Sequence, residues 1–125
     1  MRTTTTIAQM VVRLLGLVLI VLGGLFWGGR ALELVNTHML IGVLFVLALW
    51  VLSGIAVVTH QSAGLVATGF IWGIIVLALG MMQKSLMPGS AHWVIQVLHL
   101  LVGLIAMGIG ERLAGGIKRS LATTV

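Results

Sequence analysis

The chain has 125 residues, 60% of them hydrophobic and only 7% charged, with a mean hydropathy of +1.25, a composition outside the range of an ordinary soluble domain. Its formal net charge is +5, but the few basic residues stand at the ends of apolar runs, a pattern set by membrane topology and not by nucleic acid, which is excluded as a partner. The absence of cysteine excludes disulfides, thiolate metal sites, iron–sulfur clusters and covalent c-type haem attachment, leaving His and Met as soft ligands.

The first element begins after MRTTTTIAQ and extends from about residue 10 to 29. It shows no small-x-small cleavage pattern and is read as a retained helix, with Arg13 snorkelling toward the headgroups. A short segment, 30–35, leads to a second helix over about 36–59, with Asn36 or Thr37 as N-cap. An earlier start is allowed by the helix formers Ala31 to Leu34. His60, Gln61 and Ser62 form a polar turn, and a third helix covers about 63–82. Pro88-Gly89 is a strong turn signal, Ser90 a natural cap, and a fourth helix runs over about 91–113, followed by a polar, basic tail.

These elements predict an all-α membrane protein, a single four-transmembrane-helix bundle. No Asp, Glu, Lys or Arg occurs between Glu33 and Lys84, enough for two crossings at roughly 20 residues each, and the unbroken runs speak against a barrel. Arg2, Arg13, Arg112, Lys118 and Arg119 fall on the side of the termini, against Arg30 and Lys84 on the other. The positive-inside rule then places both termini in the cytoplasm of a bacterial-type inner or plasma membrane.

A shift of 54 residues (92 − 38) superposes Arg30 on Lys84, Leu32 on Leu86, Asn36 on Ser90, His38 on His92, Ile41 on Ile95 and Gly54 on Gly108. This describes a parallel two-helix repeat about an axis along the membrane normal. Ionisable groups at membrane depth usually mark a functional site, so His38 and its partner are the leading metal ligands. His92 and His99 lie seven residues apart, on one helix face but about 10 Å apart in height. Repeat symmetry and equal depth favour His92 as the partner of His38, and burial favours His99. His92 is taken first. The ligand expected is one haem b, held edge-on in the bundle by imidazoles from separate helices.

Small residues make room for a macrocycle, and Gly24, Gly28, Gly73 and Gly80 are the candidates that would border it, with Gly23 and Gly29 adding to the glycine concentration on the first helix. Arg30 and Lys84, at the same face, would each pair with a propionate. Set beside these, His60 reads as a solvated turn residue, the four tryptophans as packing and interface residues, and Ser53 as bonding back to its own helix. Met81, Met82 and Met87 near His92 suggest a soft copper site as a second-rank alternative.

The layout resembles the four-helix haem-carrying core of the cytochrome b family, in which the second and fourth helices supply axial histidines and glycines on the first and third make space. The match rests on His38, on His92 or His99, and on the glycines of helices one and three. In the 54-residue register the second helix has Phe45 where His99 has its partner, so the resemblance implies at most one such haem. The function expected is single-electron transfer with quinol or a membrane partner, through a redox subunit or a homo-oligomer. The alternatives are a non-redox membrane subunit or assembly factor, whose histidines merely bond across helices, and a copper-binding or transport protein. A transporter is disfavoured by the lack of an acidic residue at mid-membrane.

Overall fold

A computed structural model describes residues 1–123. It contains four α-helices, α1 (Arg2–Trp27), α2 (Val35–Val58), α3 (Ala63–Met82) and α4 (His92–Thr123), with a short 3-10 turn at Leu32–Leu34 before α2. All four are long and apolar enough to cross a membrane. Sequential helices pack side by side, α1 also packs on α4, and α2 and α4 touch across the centre of the bundle. Accordingly the core is drawn mainly from the central pair, with Phe45, Leu49, Leu52, Leu113 and Ile117 almost fully buried.

The helix ends show where local chemistry departs from expectation. α1 begins at Arg2 and not near residue 10, because Thr5, Ala8, Gln9 and Val12 recur on one face and are buried against the bundle, with the Thr5 and Thr6 hydroxyls donating back to the carbonyls of Met1 and Arg2. α4 does not stop at 113. Leu113, Ala114, Gly116 and Ile117 are buried, so the segment expected as a tail is the amphipathic last third of the helix. Neither Asn36 nor Thr37 caps α2, which the preceding 3-10 turn carries in from Leu32. Instead the side-chain cap belongs to Ser62, whose hydroxyl accepts from the Leu65 N–H at the start of α3.

α1 and α2 end in the same way. Gly29, with φ +70, lets its N–H reach the Phe26 carbonyl and the Arg30 N–H reach that of Leu25, the paired bonds of a Schellman motif. At the end of α2 the same two bonds run from His60 to Val57 and from Gln61 to Ala56, but the left-handed position is filled by His60, at φ +55. A residue with a Cβ is strained there by about 1 kcal/mol. His60→Gly is therefore expected to raise the thermal midpoint in detergent by a few degrees, and a fall would show that the imidazole holds the turn.

At the end of the bundle holding the termini, Arg13 donates to Glu111 through Nε (2.6 Å) and Nη2 (2.7 Å), Gln9 Nε2 donates to Glu111 Oε2 (2.8 Å), and Lys118 Nζ donates to Gln9 Oε1 (2.6 Å). Arg13 thus does not simply snorkel. It fastens α1 to α4 through the one ion pair among the described residues.

Candidate functional site

At the opposite end, His38 near the start of α2 and His99, two turns into α4, face each other across the bundle, their ring centres 6.3 Å apart and their planes inclined at 53°. Phe26 of α1 stands edge-on to His38 at 5.4 Å. Each imidazole rests on a glycine of the preceding helix. A Cβ on Gly23 would lie 3.9 Å from Cε1 of His38, and one on Gly80 would lie 3.3 Å from Cε1 of His99.

Those two contacts are copies of one another. Moving α1 onto α3 by 57 residues (80 − 23) and α2 onto α4 by 61 (99 − 38) turns the Gly23–His38 contact into Gly80–His99. The same two shifts turn Gly73 packed on Val46 into Gly16 packed on Met107. They also turn the Trp50 Nε1 bond to the Phe70 carbonyl into the Arg13–Glu111 pair. The halves are therefore related by a parallel pseudo-twofold in which the second connection has four extra residues. In this register His38-Met-Leu-Ile-Gly42 falls on His99-Leu-Leu-Val-Gly103, and Gly16 to Gly23 fall on Gly73 to Gly80 without a gap. The 54-residue shift assumed equal connections, which is why it gave His99 the partner Phe45 and coupled Arg30 with Lys84. By contacts, the mate of His99 is His38.

His92 lies elsewhere. It is the first residue of α4, and its Nδ1 is 3.2 Å from the Leu86 carbonyl, so its ring braces the α3–α4 connection. Of the other residues singled out from sequence, Gly80 borders His99 and Gly73 lies deeper, against Trp50 and Val46. Gly24 faces open space and Gly28 only its own helix end. Arg30 and Lys84 are exposed at the same end of the bundle as the histidine pair. Met81, Met82 and Met87 are exposed. Ser53 donates back to the Leu49 carbonyl as expected, and Trp72 Nε1 donates to the Val102 carbonyl, tying α3 to α4 one turn from His99.

Two further glycines belong to the site. On α2, residues 38, 42, 46, 49 and 53 form one stripe, of which Val46, Leu49 and Ser53 are fully buried. Gly42 in the middle of that stripe nonetheless has nothing within 4 Å of its Cβ position. The same holds for Gly103, one turn below His99 on a stripe with buried Ala106, Gly110 and Ala114. Both histidines sit on these core-facing stripes, yet both remain partly exposed, as do both glycines. The helices thus leave an opening beside Gly42 and Gly103, just below the imidazoles. Two surface depressions, among Val57, His60, Gln61, Ala63, Val66 and Ala67 and among Leu17, Val18, Val21 and Leu22, are lined by neither His38 nor His99.

The donor set limits what this opening can hold. A first-row metal binds imidazole nitrogen at about 2 Å, and the ring centre lies about 1 Å beyond, so two imidazoles on opposite sides of one ion have centres about 6 Å apart, against about 5 Å in a tetrahedral site. The observed 6.3 Å fits the opposed arrangement. Among the described residues no group of three or more His, Asp or Glu converges, so the protein alone does not complete a metal's coordination. The Nδ1 atoms of His38 and His99 are buried with no hydrogen-bond partner, a cost of about 1–3 kcal/mol for each polar group so placed. Were the rings merely joining helices, a bond between them or to a carbonyl would be expected, and neither ring makes one.

No protein-family model, curated protein or solved structure matches this chain.

Proposed function

We propose that the chain is a membrane b-type haem protein that transfers single electrons, with His38 and His99 as the residues that would hold its iron. The observation that carries this reading is the pair of repeat-related imidazoles, 6.3 Å apart, above two glycines, Gly42 and Gly103, whose Cβ positions meet nothing within 4 Å. Two opposed nitrogens suit an ion whose remaining ligands come with its cofactor, and a porphyrin supplies four in a plane. Bound iron of this kind takes up and releases one electron without breaking bonds to carbon or hydrogen.

The chain's own residues do the rest. His38 and His99 fix the height and tilt of the metal from the two central helices, Gly23 and Gly80 let the rings lie against α1 and α3, and Gly42 and Gly103 leave space beneath them. Phe26 closes one side of His38 and excludes water there. Arg30 and Lys84, exposed at the same end, are placed for carboxylates projecting toward the surface. The basic bias puts the termini in the cytoplasm and the histidine pair toward the outer side of a bacterial-type inner membrane. One metal near one face does not span the bilayer, so electrons must come and go through a quinol or a membrane redox partner.

The direct test is an absorption spectrum of the protein purified in detergent from haem-replete cells. Split, sharp reduced bands of a low-spin six-coordinate haem at about one equivalent per chain are expected. A colourless protein that also fails to take up haemin in vitro would end this reading.

A further inference from the structure

The pseudo-twofold supplies an internal control, because each side chain in one half can be compared with the residue doing the same packing job in the other. Toward the end that holds the termini, the comparison becomes one-sided. Gln9, Arg13, Glu111, Arg112, Lys118 and Arg119 correspond to Val66, Phe70, Trp50, Val51, Val57 and Val58. The α2–α3 contact is made with the apolar set, so this backbone arrangement packs without charge. The polar set on the α1–α4 side is not needed for the fold's geometry.

The depth is unusual as well. Phe70, the mate of Arg13, is the eighth residue of α3, about 10 Å in from that helix's end at 1.5 Å per residue. Charge so placed is costly unless it finds a partner. Arg13, Gln9 and Lys118 find theirs in the chain around Glu111. Arg112 and Arg119 instead face outward, on the surface of α4 equivalent to the lipid-facing Val51 and Val58 of α2, which are 46% and 59% exposed. Seven residues apart, the two arginines share a helix face, with Gly115 between them. The Nη1 of Arg119 lies 3.4 Å from where a Gly115 Cβ would stand, so its guanidinium is folded back along the helix toward Arg112. Counting Arg13, Arg112, Lys118 and Arg119 against Glu111, the patch carries a charge of +3.

We propose that Arg112 and Arg119 bind the phosphate diester of an anionic phospholipid from the leaflet on the side of the termini. A guanidinium meets phosphate oxygens with two parallel N–H donors, and two guanidiniums on a glycine-notched, lipid-facing surface hold the phosphate while the acyl chains lie along the exposed Leu101 and Ile105 above. This inference is independent of the histidine pair.

The test is native mass spectrometry of the full chain released from detergent containing phosphatidylglycerol, phosphatidylcholine or inorganic phosphate. One phosphatidylglycerol is expected to stay bound in preference to phosphatidylcholine, and millimolar inorganic phosphate should not displace it. Arg112→Gln with Arg119→Gln should weaken phosphatidylglycerol retention roughly 25-fold, at about a fivefold factor for each basic residue, while phosphatidylcholine adducts stay unchanged. If the double variant does not fold, each single variant should show the fivefold loss. Grafting the pair onto the other half, Val51→Arg with Val58→Arg, should add a second phosphatidylglycerol. Equal retention by wild type and folded variants would overturn the proposal, and displacement by inorganic phosphate would replace it with a soluble-anion site.

Discussion

His38→Ala and His99→Ala are each expected to abolish the low-spin spectrum, with haem content falling to a small fraction of wild type, while His92→Ala keeps both. The reason lies in coordination number. A haem held by two imidazoles would lose one of its two protein bonds when either is truncated, and nothing nearby would replace it, since among the described residues no third His, Asp or Glu converges on the pair. His92 engages the Leu86 carbonyl instead, so its loss should loosen the α3–α4 connection without touching the metal. Far-ultraviolet circular dichroism in detergent serves as the control, because four long helices should keep their signal in all three variants. A result in which His92→Ala loses the spectrum and His99→Ala keeps it would move the metal two turns up α4, about 10 Å by helical rise. It would also restore the 54-residue register as the functional one.

That contrast shows what the sequence made legible. The number of helices long and apolar enough to cross a membrane, the third helix from Ala63 to Met82 and the polar turn after α2 follow from runs of apolar residues, for which a helix is the structure that satisfies the backbone in lipid. Helix ends were harder to read. α1 gains a threonine-rich turn because Thr5, Ala8 and Gln9 continue its buried face, and α4 continues because apolar residues recur on one face beyond Arg112, a pattern that its basic residues mask. The repeat was visible too, but matching single histidines under equal spacing coupled His38 with His92, whereas the structure sets His38 beside His99. The signal for that contact was present as His-x-x-x-Gly in α2 and α4 and as glycines seven apart in α1 and α3. It emerges only when the connections are allowed to differ in length, as loops commonly do. The role of Gly42 and Gly103 was not legible at all. Glycine is abundant in membrane helices for close packing, and only the open space at these two positions separates them from Gly16 or Gly73, where the neighbours press in.

The same difference between glycines yields a test that separates cofactor binding from folding. Gly42→Leu combined with Gly103→Leu should fill the interior opening, because both positions are core-facing and neither Cβ meets anything within 4 Å. Each change also replaces the poorest non-proline helix former with one of the best, worth about 0.8–1 kcal/mol per position in a helix interior, and buries apolar side chain. The variant is expected to fold with a thermal midpoint, measured on the haem-free protein, at or above that of haem-free wild type. It should nevertheless contain almost no haem and take up none from haemin, although His38 and His99 are both intact. For comparison, Gly73→Leu should lower the midpoint sharply, since a Cβ there runs into Trp50 and Val46 and overpacking of this kind costs about 1–3 kcal/mol or more. If the Gly42–Gly103 double variant binds haem normally, the opening beneath the histidines is not where a macrocycle sits. If it fails to fold, the space is filled in the native protein by groups that the leucines displace. The pairing of retained stability with lost cofactor is the outcome that assigns this space to the porphyrin, because ligand loss alone cannot distinguish a missing bond from a missing pocket.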